Sequence, residues 1–144
     1  MLLPLEGIRI LDLTQTLSGP FGTMILGDLG AEVIKIEGPR SQDPARVTPP
    51  HFLNGVSVYF ISLNRNKKSL VLDLKCREGQ EVFQELVRVS DVVCENFRPG
   101  ATERLGIHYH SVHQHNPSVV YCSISGFGQD GPYLDRPGFD QIAQ

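Results

Sequence analysis

Cysteine is scarce in this 144-residue chain, and what there is lies scattered. Cys76, Cys94 and Cys122 contain no Cys-x-x-Cys pair, and three thiols cannot pair completely. That excludes a fully bridged disulfide framework and points to a reduced, cytoplasmic setting. Long basic runs are also missing. The formal net charge is −3, which excludes a nucleic-acid surface as the main business but leaves room for a local anion site. The opening MLLPLEGIRILDL is apolar only in short pieces, broken by Glu6 and Asp12, with no basic start and no small-residue cleavage site. Neither a signal peptide nor a membrane span is expected, and no internal repeat is visible.

What remains is ordinary globular material, 40% hydrophobic and 20% charged. The length suits one domain or part of one. A complete domain of this size buries about 70% of its unfolded surface, enough for a core without bridges. Strand-like runs alternate with helix-like ones. Ile8–Leu13 (IRILDL) predicts a buried strand, followed by a helix with Ser18 as N-cap, Pro20 in its first turn and Gly30 as a left-handed stop. Glu32–Glu37 (EVIKIE) alternates and predicts a second strand. Gly38–Ser57, rich in Pro, Gly, Ser and Asn, reads as a long loop. Lys68–Leu74, Asp91–Phe97 and Ser118–Ser125 predict three more strands. Between them a helix carries Val82, Phe83, Leu86, Val87 and Val89 on one stripe, and two short helices fall at Ala101–Leu105 and around His110–His115. The expected fold is α/β: a Rossmann-like, mostly parallel sheet with helices on both faces. Ligands of such sheets sit at the carboxyl ends of the strands, so the loops starting at Thr14, Glu37, Lys75, Asn96 and Ser125 are the ones to watch.

Several clusters invite chemistry, each with a plainer reading beside it. Gly126, Gly128 and Gly131 spell G-x-G-x-x-G after a strand, but Pro132 and Pro137 oppose the helix that a dinucleotide fingerprint needs inside the motif. A glycine-rich turn off a strand end is the simpler account. Asn64–Ser69 with Lys75 gathers positive charge, or is a solvated turn. Arg98 and Arg104 flank a Pro-Gly turn and form either a phosphate clamp or a pair of surface arginines. His108, His110, His113 and His115 have no i, i+4 pair and no acidic neighbour, so an exposed polar helix face is favoured over a metal site. Asp140 is either a nucleophile or base, or a helix N-terminal charge.

Four stretches taken together closely resemble the class III coenzyme A transferases, a family that also contains α-methylacyl-CoA racemases. They are PLEGIRILDLTQTLSGPFGTMILGDLGAEVIKIE, YFISLNRNKKSLVLDLK, VCENFRPGATERLG and VVYCSISGFGQDGPYLDRPGFDQIAQ. The resemblance covers almost the whole chain, in order. It implies that residues 1–144 form the N-terminal CoA-binding part of a larger transferase domain, in a homodimer of interlocked subunits. By that pattern the nucleotide end of CoA lies near Leu72, Lys75, Asn96, Phe97, Arg98 and Arg104, with Arg40 as a further phosphate contact. Lys and Arg suit the 3′-phosphate and pyrophosphate of CoA, and Leu72 and Phe97 offer adenine an apolar shelf. The Leu13–Pro20 and Pro137–Asp140 segments would approach the thioester, although Leu17 stands where some members carry glutamine.

The resemblance also implies the reaction: CoA moves from an acyl-CoA donor to a carboxylic acid through a covalent aspartyl intermediate, with no metal and no tightly bound cofactor. In the family that aspartate lies in a Gly-Asp segment beyond the FDQIAQ motif, past Gln144. Asp140 matches a pocket-lining acid instead. The chain is thus expected to be the front portion of a longer enzyme and inactive alone. Racemases need a proton-carrying histidine before the matching aspartate, and Phe139 holds that position here.

Overall fold

The computed structural model describes residues 2–39 and 43–144. In chain order, β1 (Arg9–Asp12) leads into α1 (Ser18–Asp28) and β2 (Glu32–Glu37). A 3₁₀ turn (Pro44–Val47) and a small antiparallel hairpin, β3 (Phe52–Leu53) with β4 (Val56–Ser57), precede α2 (Val58–Leu63) and β5 (Lys67–Val71). Then follow α3 (Arg77–Arg88), β6 (Val92–Glu95), α4 (Ala101–Leu105), α5 (Tyr109–His115), β7 (Val120–Ser123) and α6 (Asp140–Ala143).

The five long strands form one sheet in the order β5-β2-β1-β6-β7, parallel at every pairing. β1 is therefore central and carries apolar side chains to both faces, as period-two geometry requires. Leu11 and Leu13 join Ile36, Phe83, Val87, Val93, Ile107 and Val112 beneath α3 and α5. On the other face Ile10 packs with Ala31, Val33 and Cys94, with Leu26 of α1 against them. The chain works outward from β1 through β2 to β5, then returns to β6 on the other side of β1. That reversal creates a crevice at the carboxyl ends, next to β1.

All five expected strands are present: β2 as expected, β1, β6 and β7 trimmed at both ends, and β5 starting one residue earlier and ending three earlier, while the helix at Ala101–Leu105 falls where the sequence places it. Gly30 takes φ +104° and ends α1 as anticipated. Other expectations need correcting. Ser18 is the first residue of α1, not its cap; Leu17 occupies the cap position and supplies no side-chain bond. The segment 38–57 is not a plain loop, since the 3₁₀ turn and the hairpin lie within it. α2 is a helix the composition concealed: VYFISL is β-branched and aromatic, yet Ser57 accepts the Tyr59 amide (3.2 Å) and starts a helical turn. The α3 stripe is also narrower than expected. Phe83 and Val87 are buried, whereas Val82 and Val89 are 48% and 57% exposed.

The narrower stripe gives a direct check by urea unfolding of the chain. Phe83→Ala should cost about 3–5 kcal/mol, the range for emptying a buried aromatic site. Val82→Ala should stay within about 0.5 kcal/mol, as surface changes do. Equal losses would mean that α3 packs with a different face.

Candidate functional site

A small cleft of about 70 Å³ opens at the carboxyl ends of the strands. Leu13 and Gln15 line it after β1, Ile36 and Glu37 from β2, Leu72 and Lys75 after β5, and Phe97 after β6. Of the sequence candidates, Leu72, Lys75 and Phe97 thus line one cleft. The Leu72 amide bonds to the Glu37 carbonyl (2.9 Å), which carries β5 past its ladder to the cleft edge. Lys75 is exposed, in the turn that Asp73 holds through the Lys75 amide (3.0 Å).

Asn96, Arg98 and Arg104 do not line the cleft. Both oxygen and nitrogen of the Asn96 amide are taken up by the Gln15 backbone, at 2.8 Å each, so Asn96 locks the loop after β1 to the loop after β6. Arg98 and Arg104 are exposed around the turn at Gly100, which adopts φ +77°. The Arg98 carbonyl accepts the Ala101 amide (3.0 Å) and so opens α4. Arg40 lies outside the described residues.

Charge pairing singles these cations out. Arg9, Lys35, Arg46, Arg65, Lys67, Lys68, Arg77 and Arg88 each have a carboxylate within ion-pair distance. Arg136 instead stacks over Tyr133, 4.1 Å from the ring centre. Among the described residues, the basic side chains left without either kind of partner are Lys75, Arg98 and Arg104. Lys75 and Arg98 belong to loops and Arg104 to the short helix α4, all beside or near the cleft.

A second feature at this end was not anticipated. On the α1 face the strands change from apolar to charged as they approach their carboxyl ends: Ile10 gives way to Asp12, and Val33 to Lys35 and Glu37. These charges are buried. Asp12 accepts the Thr14 amide (3.0 Å) and hydroxyl (2.5 Å), the Thr23 hydroxyl (2.7 Å) and the Lys67 ammonium (2.9 Å). Lys67 completes its three donations with Pro20 O and Asn64 Oδ1 (2.9 Å each). Lys35 donates to the Thr14 carbonyl (2.8 Å) and lies 3.0 Å from Asp43. Asp43 in turn accepts the amides of Thr16 and Ala45, at 2.9 Å each. Arg46 grips Glu37 with two bonds (2.8 and 2.5 Å) and stacks on Phe60. The array fixes the Leu13–Pro20 loop so firmly that Thr16 is held at φ +70°, a costly conformation for a β-branched residue. A charged residue in a strand buried on both faces, Lys35 in EVIKIE, was the available signal.

Burial alone would raise the Asp12 carboxyl, but Lys67, Lys35 and the Thr14 hydroxyl outweigh it and hold it below the ordinary range. Burial likewise opposes and Arg46 prevails at Glu37, which is also lowered. At Glu95, 2% exposed, burial wins over the bonds from Ser123 and the Phe97 amide, and the carboxyl is raised.

The glycine-rich segment contains no helix between Gly126 and Gly131, so nothing there offers a pyrophosphate the end of a helix. Its glycines have other duties. Gly128 and Gly131 take φ +85° and +90°. A Cβ on Gly126 would lie 2.4 Å from the Gly138 Cα, so the loop is closed by two glycine backbones in contact. Asp140 begins the one-turn α6, exposed, bonded to the Gln144 amide (2.8 Å). His108 precedes α5 at its cap position and His110, His113 and His115 lie within it, where His113 stacks on Tyr109. Among the described residues, no group of three or more His, Cys, Asp or Glu gathers as a metal site, and no helix is long and apolar enough to cross a membrane.

Comparison with known proteins decides the family: the model of CoA-transferase family III matches residues 5–144. The chain belongs to that family. It is 50% identical over 140 residues to the succinyl-CoA:glutarate CoA-transferase of Mus musculus, covering 97% of this chain and 32% of that protein. It is 48% identical to the acetyl-CoA:oxalate CoA-transferase of Acetobacter aceti, over 98% of this chain and 36% of the other. A CAIB/BAIF family protein from Brucella suis superposes with a TM-score of 0.91 at 40% identity, covering 99% of this chain and 38% of that one. The chain thus spans about a third of the length of these relatives. The α/β, mostly parallel architecture is shared with that solved structure.

The buried array makes a sharp stability prediction. Asp12→Ala leaves Lys67 buried without its carboxylate and should cost about 3–5 kcal/mol. The pH dependence has a definite sign. Asp12 and Glu37 are lowered in the fold, so their stabilisation is complete above about pH 4–5 and is lost as pH falls through their depressed values. Glu95, raised, acts oppositely: its contribution is full at low pH and is lost as pH rises through its elevated value. Thermal melts between pH 3 and 6 should show a net fall on acidification, less steep in Asp12→Asn. A melt insensitive to acid would remove the array from the stability of the fold.

Proposed function

We propose that residues 1–144 are the CoA-binding part of a family III CoA-transferase, which moves CoA from an acyl-CoA donor to a carboxylic acid. The observation that carries this reading is the set of unpaired cations, Lys75, Arg98 and Arg104, at the end of the sheet where Leu72 and Phe97 wall a cleft. CoA matches that chemistry: its 3′-phosphate and pyrophosphate meet the cations, and adenine rests on Leu72 and Phe97. Arg40 supplies a further phosphate contact. Asn96 serves the site indirectly, by holding the Gln15 backbone. The pantetheine arm then runs toward the rigid Leu13–Pro20 loop and the Pro137–Asp140 segment, where the thioester reacts.

In the proposed reaction an aspartate carboxylate attacks the donor thioester carbonyl. The carbon–sulfur bond breaks, CoA leaves as thiolate, and an acyl-aspartyl anhydride forms. The thiolate attacks the aspartyl carbonyl of that anhydride, releasing the donor acid and leaving an aspartyl-CoA thioester. The acceptor carboxylate repeats the two steps in reverse, and the aspartate is regenerated. No proton needs to be moved. That aspartate is assigned outside this chain, with Asp140 as a pocket-lining acid. Phe139, 67% exposed, cannot carry a proton, which argues against the racemase chemistry found elsewhere in the superfamily. The working enzyme is proposed to be a cytoplasmic homodimer with no tightly bound cofactor.

Titration calorimetry of the complete gene product with CoA tests the reading. Lys75→Ala, Arg98→Ala and Arg104→Ala should each weaken binding by about 1–3 kcal/mol, as lost charge-assisted bonds do. The residue that meets the 3′-phosphate should show a smaller loss when dephospho-CoA replaces CoA. Unchanged affinity in all three folded variants would move CoA elsewhere.

A further inference from the structure

A continuous chain of side-chain bonds links the glycine-rich loop to the cleft wall. Glu95, at the carboxyl end of β6, is buried, and its two oxygens serve different partners. Oε2 accepts the Phe97 amide (2.8 Å), fixing the first turn of the backbone that leads to Arg98. Oε1 accepts the hydroxyl of Ser123, which stands opposite Glu95 in the β6–β7 register. The Ser123 oxygen in turn accepts the side-chain amide of Gln129, at 2.7 Å, from within the loop Ser125–Gly131. Every bond in this line has a definite direction: amide to hydroxyl, hydroxyl to carboxylate, backbone amide to carboxylate. Each group satisfies the next with no donor facing a donor. The loop it holds is otherwise exposed, and its own closure rests on the Gly126–Gly138 contact.

We propose that Ser123 and Glu95 are positioning residues that couple the glycine-rich loop to the Phe97 wall, so that CoA binding at that wall orders residues 125–131. The proposal rests on the CoA-binding reading above and extends it to a loop remote from the phosphates. A loop tied in this way is set in place when the nucleotide end of the substrate arrives. Phe97 is the point of contact, Glu95 and Ser123 carry the constraint, and Gln129 receives it.

Hydrogen exchange of the complete gene product with and without CoA, joined to CoA titrations, tests this. In the wild type, CoA should protect the amides of residues 125–131. Ser123→Ala should abolish that protection and raise the Kd for CoA about five- to tenfold, the loss expected for one ordinary hydrogen bond. Ser123→Thr, which retains the hydroxyl, should restore both. Gln129→Ala alters only the exposed end of the line and should also abolish the protection, which guards against a folding defect in the strand variant. Protection that persists in both Ser123→Ala and Gln129→Ala would overturn the coupling. Lys75→Ala separates this proposal from the reading beneath it. If Lys75→Ala weakens CoA while Ser123→Ala changes neither affinity nor protection, the coupling alone fails. If Lys75→Ala, Arg98→Ala and Arg104→Ala all leave CoA affinity unchanged, the binding site itself is wrong.

Discussion

The carboxyl end of this sheet depends on opposite charges buried together. Asp12 and Lys67, and Lys35 with Asp43, are taken almost wholly out of water. Either partner alone would be expensive to bury, because an uncompensated charge in the interior costs several kcal/mol. Together they fix four stretches that are distant in sequence: the loop after β1, the segment after β2, the first turns of α1, and the start of β5. Such a device adds little to net stability over a hydrophobic isostere. Its effect here is geometric. It holds Thr16 in a left-handed conformation and presents the Leu13–Pro20 loop as a rigid surface, with Asn96 clamping the same loop from β6.

The two faces of the sheet then divide the labour. On the α1 face, charges are satisfied internally and make a platform. On the α3 face, apolar residues continue past the strand ends into the cleft; Lys75 at its edge, and Arg98 and Arg104 outside its lining, have no carboxylate partner among the described residues. This contrast is more informative than the size of the cleft. A basic side chain balanced by a carboxylate is already satisfied, whereas unbalanced ones at the ligand end of a parallel sheet are open to an anion.

The sheet was legible in the sequence because IRILDL, EVIKIE and the later apolar runs follow the pattern of strands buried between helices. The helix α2 was not, because a six-residue β-branched segment depends on the cap at Ser57 and on contacts with the 3₁₀ turn, neither of which periodicity records. Ser18 looked like a cap because caps are read from residue type, while the fold places it one residue too late. At the cleft, the resemblance supplied Leu72, Lys75 and Phe97, while Arg98 and Arg104 stand outside its lining. The buried ionic array was invisible: Lys67 meets Asp12 only once β5, β2 and β1 lie side by side, and Lys35 meets Asp43 only where the segment after β2 folds back. The bond from Ser123 to Glu95 likewise exists only through the register of β6 and β7.

The most direct test of the central claim is a salt-dependent binding titration of the complete gene product with CoA and, in parallel, with NAD. A site built on unpaired cations should bind CoA saturably, with an affinity that falls as ionic strength rises, and should bind NAD far more weakly, because NAD lacks the third phosphate and the glycine-rich loop has no helix to receive its pyrophosphate. Tight NAD binding without CoA binding, or CoA binding indifferent to salt, would contradict the account.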